Sequence, residues 1–295
     1  MKKTKCFYYE RCLNGRTHIW LFGTKVLSWG PRAVKPFKNP KLGVSYSVWD
    51  GEELLEQSIK QIRPVVDYVN VVWQKLSWYG KPCNPDLEQT LLKLKADGLI
   101  DELIFFEPDL AVNPSYNEIT KRNVGLRAAR RAGCTHFMTM DTDEFYDTEQ
   151  FCAAYNDIIK RNLTHTCCNI VSYITPTLRY RDYETFFVSF INRIDGGEKF
   201  TFDAFRGYCP CLLDPTRKIK LNKKSRFCFL GKLVMHHMSH VRLDINKKIE
   251  NSTISQTSDA LEQMRTNFLI TDKNVAEKLK SGEYIKVENK FGIRV

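Results

Sequence analysis

The chain of 295 residues has no apolar run of the roughly 18 residues that a membrane-spanning helix needs, and no CxxC pair anywhere. The first absence argues against a bilayer-crossing segment. The second removes the usual spacing of a zinc knuckle or a dithiol redox motif. Cysteine itself is plentiful, at ten, but Cys167 and Cys168 are adjacent inside an apolar run, which reads as buried reduced thiol. Cys209-Pro-Cys211 with Cys228 is the remaining metal alternative. The opening MKKTKCFYYERC lacks the apolar core of a signal peptide, because Glu10 and Arg11 interrupt it. A soluble, cytoplasmic protein is expected, large enough for one big or two modest domains. No internal repeat or low-complexity segment is visible.

Acidic residues are scarce at both ends. Residues 1–41 hold ten Lys/Arg against one Glu, and residues 215–295 hold seventeen against eight acids, so each end carries +9. With a net charge of +11, the middle carries −7. Basic ends around an acidic centre suit phosphates, nucleic acid or the anionic inner leaflet of a membrane. No helix-turn-helix, RNP-like aromatic motif or zinc finger accompanies the charge, which argues against nucleic acid.

Local patterns place the elements. CFYYERCLNGRTHIWLFGTKVLSW alternates aromatic and polar residues around Asn14-Gly15, a β-hairpin signal. GPRAVKPFKNPK then supplies a proline-rich linker. From residue 42 strands and helices alternate. LGVSYSV, DYVNVVW, LIDELIFF and THFMTM are strands; Glu52–Ile62, DLEQTLLKLKADG and a helix capped by Ser115 and Glu118 lie between them. This alternation predicts an α/β fold with a mostly parallel sheet flanked by helices, whose ligands bind outside the carboxyl ends of the strands. A helix from Asp147 to about Arg161 follows, then a β-rich stretch and a polar helix from about Gln256 to Lys280. The expected division is 1–41 hairpin and linker, 42–150 alternating half and 151–295 β-rich half with the C-terminal helix, the last two within one continuous domain.

The fourth strand ends in MTMDTDEFYD, which places Asp141, Asp143, Glu144 and Asp147 in seven residues. Asp147 caps the next helix. Extended backbone would set Asp141 and Asp143 on one face, where a hard divalent cation could sit between them and keep positions open for a diphosphate. The competing view is that these acids are merely solvated.

GVSYSVWDGEELLEQSIKQIRPVVDYVNVVW, then NEITKRNVGL, then THFMTMDTDEFY resemble a family 2-type nucleotide-sugar glycosyltransferase of the GT-A fold. A later stretch, MHHMSHVRLDINKKIENS, resembles the closing motif of bacterial relatives that build lipopolysaccharide or capsule. The resemblance implies a UDP-sugar donor, manganese or magnesium, and a glycan or lipid-linked acceptor. It also implies roles. Asp141 would lie near ribose and metal, and Asp143 would be the direct metal ligand. Ser45, Ser47, Trp49 and Asp50 would hold base and ribose, with Gln74 close by. Lys121, Arg122 and Asn123 would belong to the basic helix facing the diphosphate. In the closing motif His237 would complete the metal shell, and Arg242 would hold a phosphate by its bidentate fork; His236 and His240 would point elsewhere or hold the loop.

Sugar transfer leaves new negative charge on a diphosphate, which a Lewis acid and cationic side chains stabilise. An inverting enzyme also needs a carboxylate base for the acceptor hydroxyl. Asp182, Glu184 and Asp203 are candidates, Asp182 first. A sugar-phosphate nucleotidylyltransferase shares the sheet topology, but SYSVWDGEE lacks that class's glycine-rich loop. The other alternative is a basic nucleic-acid-binding protein without enzymatic activity.

Overall fold

A computed structural model describes residues 7–11, 17–22, 24–29, 35–202, 213–220, 227–251, 259, 262 and 271–294. The Asn14-Gly15 turn, Asp203, Cys209, Cys211 and most of the stretch expected to open the last helix lie outside the described residues. Strands β1 (Phe7–Arg11), β2 (Thr17–Leu21) and β3 (Thr24–Trp29) pair antiparallel in that order. The expected hairpin is thus the first part of a three-stranded meander. Phe37, from the linker, packs edge-on against His136 at 5.9 Å and beneath Arg193 at 4.0 Å.

The alternating pattern becomes β4 (Leu42–Val48), helix α1 (Glu52–Ile62), β5 (Tyr68–Trp73), α2 (Leu87–Ala96), β6 (Glu102–Phe105), α3 (Pro114–Arg131) and β7 (His136–Asp141). The four strands run parallel in the order β6-β5-β4-β7. Strand β4 has both faces covered, as a central parallel strand must. Its Leu42, Val44, Tyr46 and Val48 join Leu55, Ile59 and Ile62 of α1 in the main core. Gly43, Ser45 and Ser47 alternate onto the other face, where α3 packs. Helix α3 comes close there because the facing residues are small: a Cβ on Gly125 would lie 1.9 Å from Ser45 Oγ.

After β7 the sheet becomes mixed. The chain continues through β8 (Glu144–Phe145), α4 (Thr148–Arg161), β9 (His165–Thr175), β10 (Leu178–Tyr180), β11 (Val188–Arg193), β12 (Lys199–Phe200), a 3-10 turn (Pro215–Arg217), β13 (Ile219–Lys220) and β14 (Phe227–His237). Helix α5 (Ile245–Glu250), helix α6 (Asp272–Ser281) and β15 (Tyr284–Lys286) close it. Strand β11 runs antiparallel between β7 and β9. Strand β14 lies parallel to β9 and antiparallel to β8, so His237 stands opposite Glu144. Of the expected polar C-terminal helix, α6 is the described part, with Val275 and Leu279 packed against Ile174, Leu178 and Tyr284.

Two helix starts repay attention. Asp147 caps α4 as expected, its Oδ1 accepting from the backbone of Glu149 and Gln150, both at 3.1 Å. Helix α3 begins earlier than the Ser115–Glu118 capping box predicts: Asn113 Oδ1 accepts from Ser115 N at 3.0 Å, and Pro114 takes the first helical position. That frees Glu118 for other partners. No helix among the described residues is long and apolar enough to cross a membrane.

Candidate active site

Asp141 is the last residue of β7, so it emerges at the carboxyl edge of the parallel strands. The chain then turns sharply through Thr142 and Asp143 into β8. This corrects the extended-backbone expectation: the two aspartates do not share a strand face, and each meets its own set of cations. Asp141 Oδ2 accepts from Arg217 Nη2 at 2.6 Å and from Arg122 Nη2 at 3.3 Å. Asp143 Oδ2 accepts from Arg242 Nη2 at 2.7 Å and Lys248 Nζ at 2.8 Å, with His237 Nε2 3.5 Å away. Glu144 is buried and grips the same Arg217 with both carboxylate oxygens, at 2.5 and 2.9 Å.

The positive charge that four clustered acids demand therefore comes from the chain itself. Burial alone would raise the Asp141 carboxyl, but Arg122 and Arg217 outweigh it and hold it down at about 2. Asp143 follows the same balance: burial opposes ionisation, and Lys248, Arg242 and His237 carry it well below the ordinary carboxylate range. Glu144 is shifted upward, because burial and the neighbouring Asp141 together exceed what Arg217 returns.

The three histidines of this stretch face different partners. His237 faces Asp143 and is part-exposed. His236 Nδ1 pairs with the Tyr173 hydroxyl at 2.9 Å, and the ring packs edge-on to Phe291. The backbone N–H of His240 donates to Tyr173 O at 3.3 Å. Arg242 reaches across the loop after β4: its Nη1 donates to Thr142 Oγ1 at 3.2 Å, and it passes over Gly51, where a Cβ would come within 1.4 Å of Nη1. Gly51 also has φ +77°, so the residue under this guanidinium must be small and left-handed.

The residues expected to hold the nucleotide divide into two groups. At the edge lie Ser47, in register with Asp141, and Trp49, whose ring is 4.9 Å from Lys247 Nζ. Asp50 pairs with that same Lys247 at 3.0 Å. Gln74 is buried at the end of β5; its Nε2 donates to Leu76 O at 2.7 Å while Oε1 has no hydrogen-bond partner among the described residues. The others are used inside the fold. Ser45 packs under Gly125 in mid-strand, away from the edge. Asn123 clamps strand β12, donating to Phe200 O at 3.0 Å and accepting from Phe200 N at 2.9 Å. Lys121 and Arg122 are buried rather than presented on a basic face. Lys121 Nζ donates to Val48 O at 2.8 Å, and burial pushes its ammonium well down. Arg122 ties Glu118, Thr139 and Asp141 together.

The close fit of Ser45 under α3 gives a first expected outcome. Gly125→Ala should cost about 1–3 kcal/mol of stability, the usual penalty of overpacking, and Ser45→Gly should return part of it. Equal urea midpoints for Gly125→Ala and the parent would refute the contact.

A cleft of about 530 Å³ opens beside these groups, lined by Glu118, Asp141, Glu144, Asp214, Arg217 and His237 together with an apolar wall. Asp182 is exposed, and Glu184 spends Oε1 on Ser172 Oγ at 2.7 Å; neither lines the cleft. Sequence reasoning missed Arg217, which also holds Asp214 at 3.2 Å, and it missed Lys248 and Glu118. Asp214-Pro-Thr-Arg217 carries a local signal for a capped turn, since Asp214 Oδ1 accepts from Thr216 N at 2.8 Å. Nothing in that signal says where the arginine reaches.

The fit of a divalent metal can be judged from the same atoms. Manganese or magnesium would need carboxylate oxygens at about 2.0–2.3 Å. The Asp143 oxygen nearest His237 already has two cations within hydrogen-bond distance, which leaves no electrostatic incentive for a third. No group of three His, Cys, Asp or Glu side chains among the described residues is arranged to hold a metal. The side chains in this arrangement do not form a metal site.

No protein-family model matches the chain, and no curated protein does. Among solved structures, S. aureus TarS aligns at 12% identity over 79% of this chain and 44% of that one, with a TM-score of 0.42. S. aureus TarS 1-349 in complex with UDP aligns at 12% identity over 81% and 75%, TM-score 0.40. The Mycobacterium tuberculosis glucosyl-3-phosphoglycerate synthase in complex with Mn2+, uridine diphosphate and glucosyl-3-phosphoglycerate aligns at 12% over 44% of each chain, TM-score 0.30. The chain thus spans under half of the first of these chains. Likeness this distant says nothing of substrate.

Proposed function

We propose that the chain transfers a sugar from a nucleotide-diphosphate donor, a UDP-sugar by preference, to a glycan or lipid-linked acceptor of surface-polysaccharide synthesis. The observation that supports this reading most is the convergence on Asp143. His237, Arg242 and Lys248 come from about a hundred residues downstream, and they meet the acid turn at the carboxyl edge of β7. An α/β sheet binds its ligands at that edge.

A nucleotide laid along the ends of β4, β5 and β7 would meet Trp49 and Asp50 at its base and ribose, while Gln74 stays buried at the end of β5. Its diphosphate would lie toward His237, Lys247 and Lys248. These side chains orient the donor and oppose the charge that develops on the leaving diphosphate. Arg122 and Arg217 hold Asp141 and Glu144 in place behind it. The apolar wall of the cleft excludes water from the transferred sugar. Inversion belongs to this reading by resemblance alone. Peripheral contact with an anionic inner leaflet belongs to it through the basic ends.

Calorimetric titration with UDP, ADP and GDP tests the reading, and UDP should bind in preference. Absence of heat with all three would sink it. Manganese alone, without nucleotide, should give no binding heat, because Arg242 and Lys248 already neutralise Asp143. A titratable manganese site in the nucleotide-free protein would overturn the observed pairing. A turnover screen of nucleotide sugars, followed by NMR of the product anomer, reads the stereochemistry.

A further inference from the structure

A second groove, of about 580 Å³, lies on the loop between β6 and α3 and on the first turns of α3. Phe106, Glu107, Asp109, Val112 and Tyr116 are the lining residues that give it its character. Tyr116 is 60% exposed, and Val112 is 39% exposed. Tyr116 packs edge-to-face with Phe202 at 5.0 Å, and Phe106 does the same with Trp78 at 6.4 Å. Each ring in the groove is thus braced by another ring.

The loop that carries these residues is fixed from below. The buried Asn117 side chain accepts from Asp109 N at 3.0 Å and donates to Asp109 O at 2.8 Å. Asp109 Oδ1 accepts from Ala111 N at 2.9 Å, and Asn113 caps the helix. A shelf so tied loses little freedom when a ligand settles on it.

The lining identifies the ligand class. It contains two acids and no lysine, arginine or histidine, so a phosphate or the donor diphosphate would be repelled. A purely apolar ligand would strip water from Glu107 and Asp109 without replacing their hydrogen bonds. A neutral sugar meets both demands, placing the C–H face of its ring on an aromatic side chain and its hydroxyls toward the carboxylates and amides. Ser115 lines the first cleft while Asn113 and Tyr116 line this groove, so the two flank one turn of α3.

We infer that this groove is a subsite for a neutral oligosaccharide, holding sugar units of an acceptor whose reacting end lies in the cleft. The acceptor role rests on the proposed transferase reading; the binding of sugar does not. A printed array of neutral oligosaccharides probed with the labelled full chain tests it, with the best binder then measured by calorimetry. Tyr116→Ala should weaken that binding about tenfold, the worth of one aromatic stacking contact. Tyr116→Phe should bind as the parent does. UDP affinity should be unchanged in both, since Tyr116 lies outside the nucleotide edge. The inference is overturned if no oligosaccharide binds, if Tyr116→Ala binds as tightly as the parent, or if the groove takes tetralysine in place of sugar. Loss of UDP binding in the parent with sugar binding intact would remove the transferase reading and leave the subsite standing.

Discussion

Arg217→Met should destabilise the folded protein by about 3–5 kcal/mol, the usual result of removing one partner from a buried ion pair. Arg217 and Glu144 are each only a few per cent exposed, at 4% and 3% for their side chains, and the contact uses both carboxylate oxygens. Without the guanidinium, Asp141 keeps Arg122, while Glu144 is left buried beside it with no ion-pair partner of its own. The carboxyl would then be driven to protonate, and stability near neutral pH would carry that cost. Urea midpoints of Arg217→Met, Glu144→Gln and the double variant measure it, and the double variant should recover much of the loss. If Arg217→Met melts within 1 kcal/mol of the parent, the arginine does not bridge these acids.

Acidification should unfold the protein well before Asp141 protonates. Burial pushes His136 and His165 down to about 4, and it pushes His236 and His240 down to about 3. All four stay neutral in the folded state at a pH where the unfolded chain, with an imidazole value near 6.5, takes up protons. Between those values the unfolded state binds more protons, so stability falls as pH falls. Each histidine contributes a slope of up to about 1.4 kcal/mol per pH unit. Four together can remove roughly 5 kcal/mol for each unit below about pH 5.5, comparable with the whole stability of many domains. Asp141 acts in a separate window, because its stabilisation is present above the unfolded value near 4 and is lost only as pH falls through about 2. Urea midpoints at pH 7.5, 6.5, 5.5 and 5.0 should drop steeply through the last interval. His165→Asn should flatten the slope, and an unchanged midpoint from pH 7.5 to 5.0 would refute the assignment.

Much of the parallel half was legible because its signals are local. Period-3.6 stripes in α1 and apolar strands bounded by turns describe elements that need no distant partner to be recognised. The exit of Asp141 from a strand, and the cap at Asp147, were legible for the same reason. Ser45 shows a signal that was present and weighed too lightly. Gly43 and Ser45 are two residues apart, and two such small side chains on one strand face mark a closely packed helix as readily as a ligand. The pairing of the site was illegible. Arg217 lies on a three-residue turn with no period to read, and Lys248 lies on a helix of six residues. What Lys248 neutralises is decided by where β14 returns, and what Arg217 neutralises by where its turn meets Glu118 of α3. The clustered acids themselves pointed to an outside cation, and the chain supplied four of its own.

Strand β14 also has a consequence for how the molecule comes into being. The acid turn at residues 141–144 is synthesised long before His237, Arg242 and Lys248, and β14 must lie against β8 and β9 before those three groups reach it. On the ribosome the first half can assemble its parallel strands, with Arg122 beside Asp141, while Asp143 still carries uncompensated charge. Docking of β14 then brings the partners of Asp143 within reach, and such distant contacts form slowly. A chain halted before residue 227 would retain the means to fold its first half and lack every downstream partner of Asp143. Maturation of the site should therefore lag behind the appearance of secondary structure.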